Sequence, residues 1–152
     1  MLRKIISFIA VIFWMAFILF LSSQPGEESN QLSTGITEMI VEVVEKVVPD
    51  ANLDFKSINH FVRKNAHFFA YFVLGILVLN ALRVCRMPGV KSLVTAILIC
   101  VIYAVSDEVH QLFVPGRGGQ VTDVLIDSGG AVAGISVYAL ILGLIARTKR
   151  KA

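Results

Sequence analysis

Four separate apolar runs, each close to twenty residues long, limit what this chain can fold into more than any other feature. A bilayer's hydrocarbon core is about 30 Å thick and takes roughly 20 helical residues to cross. Such runs lie at about 5–21, 61–82, 93–114 and 123–146 of the 152 residues. The chain is 56% hydrophobic and only 16% charged, where soluble domains carry about 25% charge. A mean hydropathy of +0.76 agrees. The expected fold is an all-α integral membrane protein with four transmembrane helices, built as a single membrane domain over 1–152.

Orientation follows from Lys and Arg. Arg3 and Lys4 precede the first span, Arg83, Arg86 and Lys91 fill the second connection, and Arg147, Lys149, Arg150 and Lys151 follow the fourth span. These three segments hold no acid, and every Asp and Glu falls in the other two connections or the span ends beside them. Both termini are therefore expected in the cytoplasm, with the chain crossing the membrane several times. The first run is too long for a signal-peptide core and no A-x-A-like site follows it, so an uncleaved helix is expected.

The connection 22–60 is the one sizeable stretch outside the spans. "SSQPGEESNQLSTG" is rich in turn formers and reads as loop. Beyond it Ile36, Met39, Ile40, Val43, Val44, Val47 and Val48 recur at helical spacing, with Glu38, Glu42 and Glu45 opposite. That pattern predicts an extracytoplasmic amphipathic helix between the first and second spans, with Ser33 or Thr34 as N-cap and Pro49 after its end. It would lie on the membrane or cover the mouth of the bundle; its acidic polar face argues against attraction to anionic lipid and favours the cover.

Cys85 and Cys100 should sit at different depths, and no Cys/His spacing suggests structural zinc. "PGRGGQVT" is too rich in Gly for helix and lacks the GK[ST] ending of a phosphate-cradling loop. Gly130 and Gly134 form a small-xxx-small pattern suited to close packing inside the bundle.

The ionisable residues are concentrated at one depth. At 1.5 Å per residue, His67 lies about 22 Å, and Asp107 about 21 Å, from the cytoplasmic ends of their spans. Arg63, His67 and Tyr71 share one helix face, Asp107, His110 and Gln111 a second, and Asp123 and Asp127 a third. Ionised groups facing lipid are costly, so these stripes should turn inward and pair. With Lys64, Glu108 and Arg117 added, the cluster is close to neutral. It is either a functional site or an ion-pair network that fixes helix register, and buried networks stabilise poorly compared with apolar packing.

At these residues the chain resembles the VanZ-like family of small bacterial membrane proteins. The resemblance rests on "SSQ" at 22–24, "RKNAHFFAYFVLG" at 63–75, "SDEVHQLFVPGR" at 106–117 and "DVLIDSGGAVAG" at 123–134. Lys64, His67, Tyr71, Asp107, Glu108, Gln111, Phe113, Pro115, Arg117, Asp123 and Gly130 fall on its motif positions. Asp127 stands where Asn is frequent and Arg63 where Asp is common, departures that would re-partner the network. The resemblance implies a multi-pass protein of the bacterial plasma membrane and cell envelope, and the founding member resembles a determinant of resistance to teicoplanin, a lipid-tailed glycopeptide.

Three functions compete. In the first, the outward cluster binds a lipid head group or lipid-linked cell-wall component, Arg63, Lys64 and Arg117 gripping phosphate or carboxylate, and so alters susceptibility to lipid-tailed glycopeptides. In the second, the chain is an intramembrane hydrolase or transferase acting on an envelope lipid, with His67, Asp107 and Glu108 as catalytic candidates. A metal-dependent version would use His67, His110, Asp107 and Asp127, but no fixed ligand spacing such as HExxH supports it; neither metal nor cofactor is expected. The third, proton or ion transport, needs polar groups through the full depth, and the inner halves of the spans are nearly continuous oil. Nucleic acid is not a partner, since the basic residues sit mostly at the cytoplasmic face. Nothing in the sequence specifies an oligomer.

Overall fold

The computed structural model describes residues 1–47 and 54–151. Among the described residues there are five helices and no strand: α1 (Leu2–Ser22), α2 (Gly26–Val47), α3 (Phe55–Val84), α4 (Gly89–Gln111) and α5 (Val121–Lys151). Four of them, α1, α3, α4 and α5, are long and apolar enough to cross a membrane. The chain is an all-helical, multi-pass membrane protein.

Local chemistry moves the helix ends away from the limits of the apolar runs. Asp54 caps α3, accepting from Lys56 N at 3.2 Å and Ser57 Oγ at 2.6 Å. The Ser57 contact first, then the Lys56 amide, hold its carboxyl below the usual carboxylate range. The cap starts α3 at Phe55 rather than at 61. Pro88 stands before α4 and starts it at Gly89 rather than at 93. At the other end α4 stops at Gln111, so the expected span to 114 is too long. Val114 N donates to Gln111 O at 3.1 Å and Arg117 N to Val114 O at 3.1 Å, a run of turns closed by Gly116 at φ +74°. Phe113 and its neighbour Leu112 are apolar but exposed loop residues, which hydropathy alone cannot separate from the end of a span.

Helix α3 is the hub, touching α1, α2, α4 and α5, and packing most extensively against α5. Gly130 and Gly134 of α5 sit on the backbone carbonyls of Phe68 and Phe72, and Gly75 of α3 sits on that of Ala131. Small residues on both helices let the backbones touch, which matters where lipid removes the hydrophobic drive between helices. Around this seam Leu74, Val78, Leu79, Ala96, Cys100, Ala104 and Ile135 form the core. Ile9, Ile12, Phe13, Leu98, Ile102, Leu140 and Leu144 are exposed, as lipid-facing residues are.

Both cysteines are free. The inner half is less uniformly apolar than its sequence suggests. Tyr138 OH donates to Asn80 Oδ1 at 2.7 Å, and Asn80 Nδ2 to Ser7 Oγ at 3.4 Å. This neutral chain ties α5, α3 and α1 together and carries no acid or base for a relay.

Two expectations for the long connection are corrected. The stretch read as loop is helical from Gly26, and Ser33 is a buried interior residue rather than an N-cap, its hydroxyl donating to Ser29 O at 2.9 Å. The expected end of the helix, Val48 and Pro49, lies outside the described residues. Helix α2 also turns its polar side to the bundle. Thr37 Oγ1 donates to Asn59 Oδ1 at 3.3 Å, and Asn59 Nδ2 to Asn30 Oδ1 at 2.7 Å. Ile36, Met39, Ile40 and Val43 remain exposed. The turn formers are helical here because a neighbouring helix, not water, satisfies their side chains. Asn59→Ala should therefore loosen α2 by about 1 kcal/mol, seen as faster proteolysis within 26–47 while the four long helices stay protected.

Candidate functional site

The C-terminal ends of α1 and α4 and the N-terminal ends of α3 and α5 meet at one end of the bundle, under the 112–120 loop. A cavity of about 220 Å³ opens there, lined by Arg63, Lys64 and His67 of α3, Gln111 of α4, Gly116, Arg117, Gly118 and Gln120 of the loop, and Asp123, Ile126 and Asp127 of α5. Of the three polar stripes, Arg63 and His67 of the first, Gln111 of the second, and Asp123 and Asp127 of the third reach this cavity.

The partners are only partly those expected. Lys64 Nζ lies 3.1 Å from Asp123 Oδ1, and His67 Nδ1 lies 3.8 Å from Asp127 Oδ2. The other two acids have neutral partners instead of bases. Asp107 Oδ2 accepts from Ser22 Oγ at 2.8 Å, and Gln111 Nε2 donates to the same hydroxyl at 3.4 Å. Glu108 Oε2 accepts from Gln120 N at 2.8 Å, so this buried side chain fastens the loop to α4 and does not line the cavity. Tyr71 lies fully buried one turn below His67, its hydroxyl unpartnered among the described residues. His110 is separate from the cluster: its Nε2 lies 3.0 Å from Ser23 Oγ, beside the end of α1.

Arg117 joins the loop to α1. Its Nη2 donates to Leu21 O at 3.0 Å, and its Nε is buried without a partner. Burial pulls the guanidinium below its ordinary value, and Arg63 nearby pushes the same way, against Asp107 and Glu108. Guanidinium remains charged under such pressure. Two like charges thus face a shared space that an anion would relieve.

Sequence reasoning missed a second compartment. A groove of about 140 Å³ lined by Ile18 and Leu21 of α1, Ser29, Ser33 and Ile36 of α2, and Val62, Ala66 and Ala70 of α3 runs beside the polar cavity. Arg63, His67 and Arg117 line both spaces. Ser22 was also overlooked as a site residue, although "SSQ" directly after an apolar run places hydroxyls at this depth. The groove had no signal in the sequence because the first half of α2 read as loop.

Ligand atoms of His67, Asp107 and Asp127 all lie within 4.8 Å of one another. One residue comes from each of α3, α4 and α5, so no local spacing could have announced the group. The arrangement can hold an anion against its bases, move a proton at His67, or collect a cation between its acids.

The sequence model of the family described as VanZ/LLP1 matches residues 7–142. Neither a curated protein nor a solved structure matches the chain.

Proposed function

The chain belongs to the VanZ/LLP1 family, and we propose that it holds an amphipathic envelope lipid with an anionic head group at the outer face of a bacterial plasma membrane. The distribution of Lys and Arg supports that orientation. One observation carries the reading: a polar cavity and an apolar groove share Arg63, His67 and Arg117 as a common wall. The head group fits the basic side, where Arg63, Lys64 and Arg117 meet phosphate or carboxylate oxygens. The first part of an acyl or prenyl tail fits between Ile18, Leu21 and Ile36. Holding such a lipid would change what a lipid-tailed glycopeptide meets at the membrane surface.

The test compares lipids of one tail and different charge. Purified full-length protein should retain phosphatidylglycerol in native mass spectrometry in preference to phosphatidylcholine. Arg63→Ala combined with Lys64→Ala should weaken that retention by ~10-fold, equivalent to ~1.4 kcal/mol. Cells expressing the double variant should also lose any shift in teicoplanin susceptibility that the unaltered protein produces. Equal retention of the two lipids, unchanged by the substitutions, would remove the head-group reading.

A hydrolase or transferase acting on the same lipid is the second reading. It is favoured by His67 lining the cavity with Asp127 Oδ2 3.8 Å from its Nδ1, a carboxylate placed to orient a general base. Envelope lipids incubated with the protein and followed by mass spectrometry decide it; no conversion in any lipid class rejects the enzyme.

A further inference from the structure

We propose that His67, Asp107 and Asp127 form a binding site for a first-row divalent cation, Zn²⁺ or Mn²⁺, clamping α3, α4 and α5 together. The three residues offer ligand atoms that lie within 4.8 Å of one another. A second, independent observation points at a ligand. Asp127 is 0% exposed and Asp107 2% exposed, and both Asp127 oxygens and Asp107 Oδ1 lack a hydrogen-bond partner among the described residues. Asp127 Oδ2 has only His67 Nδ1, at 3.8 Å. Buried polar atoms are normally satisfied, and two desolvated carboxylates side by side repel. A divalent cation between them neutralises both and occupies all three orphaned oxygens' common space.

The donor set selects the metal. One imidazole with two carboxylates suits zinc or manganese. Calcium wants six to eight oxygens, and magnesium a full octahedron with retained waters. Bond lengths of about 2.0–2.2 Å require the three donors to draw closer than their present spread, a movement that side-chain torsions of His and Asp supply. Ser22 supports the site from outside: by donating to Asp107 Oδ2 at 2.8 Å, it leaves Oδ1 for the metal. Three protein ligands leave a coordination position open. His67 and Asp127 both line the polar cavity, so that position would be reached from it. Arg63, Lys64 and Arg117 stand across the same space, so an anionic oxygen reaching the metal would be held from both sides. The cation site itself stands on the three helices and does not rest on the lipid reading.

Full-length protein in detergent, stripped with EDTA, is loaded with ZnCl₂ or MnCl₂, passed through gel filtration and analysed for metal by inductively coupled plasma mass spectrometry. One equivalent per chain is expected, with a rise in thermal stability on loading. Asp127→Asn and His67→Gln should each weaken binding by more than ~100-fold, beyond the 10–100-fold range of outer supporting residues. Glu42→Gln, on the exposed side of α2 where its carboxylate pairs with Lys46, should leave metal retention unchanged. Where a variant fails to fold, CoCl₂ added to the unaltered protein supplies a decisive readout: visible absorption bands of cobalt in a nitrogen and oxygen site are expected. No retained metal and no cobalt bands, or equal retention by unaltered protein and folded Asp127→Asn, overturns the site. Lipid retention measured in EDTA keeps this outcome separate from the head-group reading.

Discussion

Gly130→Leu should cripple the bundle, and Gly129→Leu, one residue away, should leave it intact. A Cβ at Gly130 would meet the backbone carbonyl of Phe68, whereas at Gly129 it meets nothing within 4 Å. Backbone cannot rotate aside as a side chain does, so α5 must back away from α3 along the seam that also contains Gly134 and Gly75. Overpacking costs about 1–3 kcal/mol in well-filled cores and occasionally more, and here it falls where α3 and α5 meet backbone to backbone. Within a membrane that loss is not offset by hydrophobic collapse, since lipid solvates separated helices as well as they solvate each other. At Gly129 the same leucine points into open space and raises helix propensity by up to about 1 kcal/mol. Thermal unfolding in detergent, followed by size-exclusion chromatography, should show a large fall for the first variant and none for the second. Equal behaviour of the two would mean that α3 and α5 do not approach through these glycines.

The four long helices were legible because crossing lipid demands a length and a polarity that soluble helices rarely combine. The gathering of His67, Asp107 and Asp127 was legible for a related reason: ionisable groups at one depth have nowhere favourable to point except toward each other. Their partners were not. Depth and helical phase place a side chain within a few ångströms, but a hydrogen bond is decided at a few tenths. Asp107 therefore went to Ser22 rather than to a base, and Glu108 to the amide of Gln120. His110 shows the same limit, since three residues along α4 turned it toward Ser23 and out of the cluster. The apolar groove was hidden more deeply. It needs the first half of α2, whose Asn30, Ser33 and Thr37 look like loop residues until Asn59 is beside them. The group of His67, Asp107 and Asp127, drawn from three helices, leaves no fixed ligand spacing in the sequence, and the four residues weighed there for a metal included His110, which the structure sets apart on Ser23.

Arg117→Ala is the substitution expected to damage function most, because this one side chain serves three structures. It donates to Leu21 O at the end of α1, where helix carbonyls have no partner of their own and positive charge is favoured. It lines the polar cavity and the apolar groove together. Arg63 also acts on it as a like charge, which an anion would relieve. A charge-assisted hydrogen bond from Arg117 to an anionic head group would be worth about 1.5–3 kcal/mol, so its loss should cost roughly 10–150-fold in affinity. Arg117→Lys separates the contributions. An ammonium keeps the charge but is a single point, so it can reach Leu21 O or the ligand and not both. Affinity for phosphatidylglycerol should fall in the order Arg, Lys, Ala, with lysine nearer to arginine at low salt and nearer to alanine at high salt, where a solvated charge is screened. Loss of the bond to Leu21 O should lower stability by about 1.5–3 kcal/mol for alanine alone. If alanine lowers stability while lipid retention is unchanged, Arg117 is a strap on α1 and the anion is held by Arg63 and Lys64 without it.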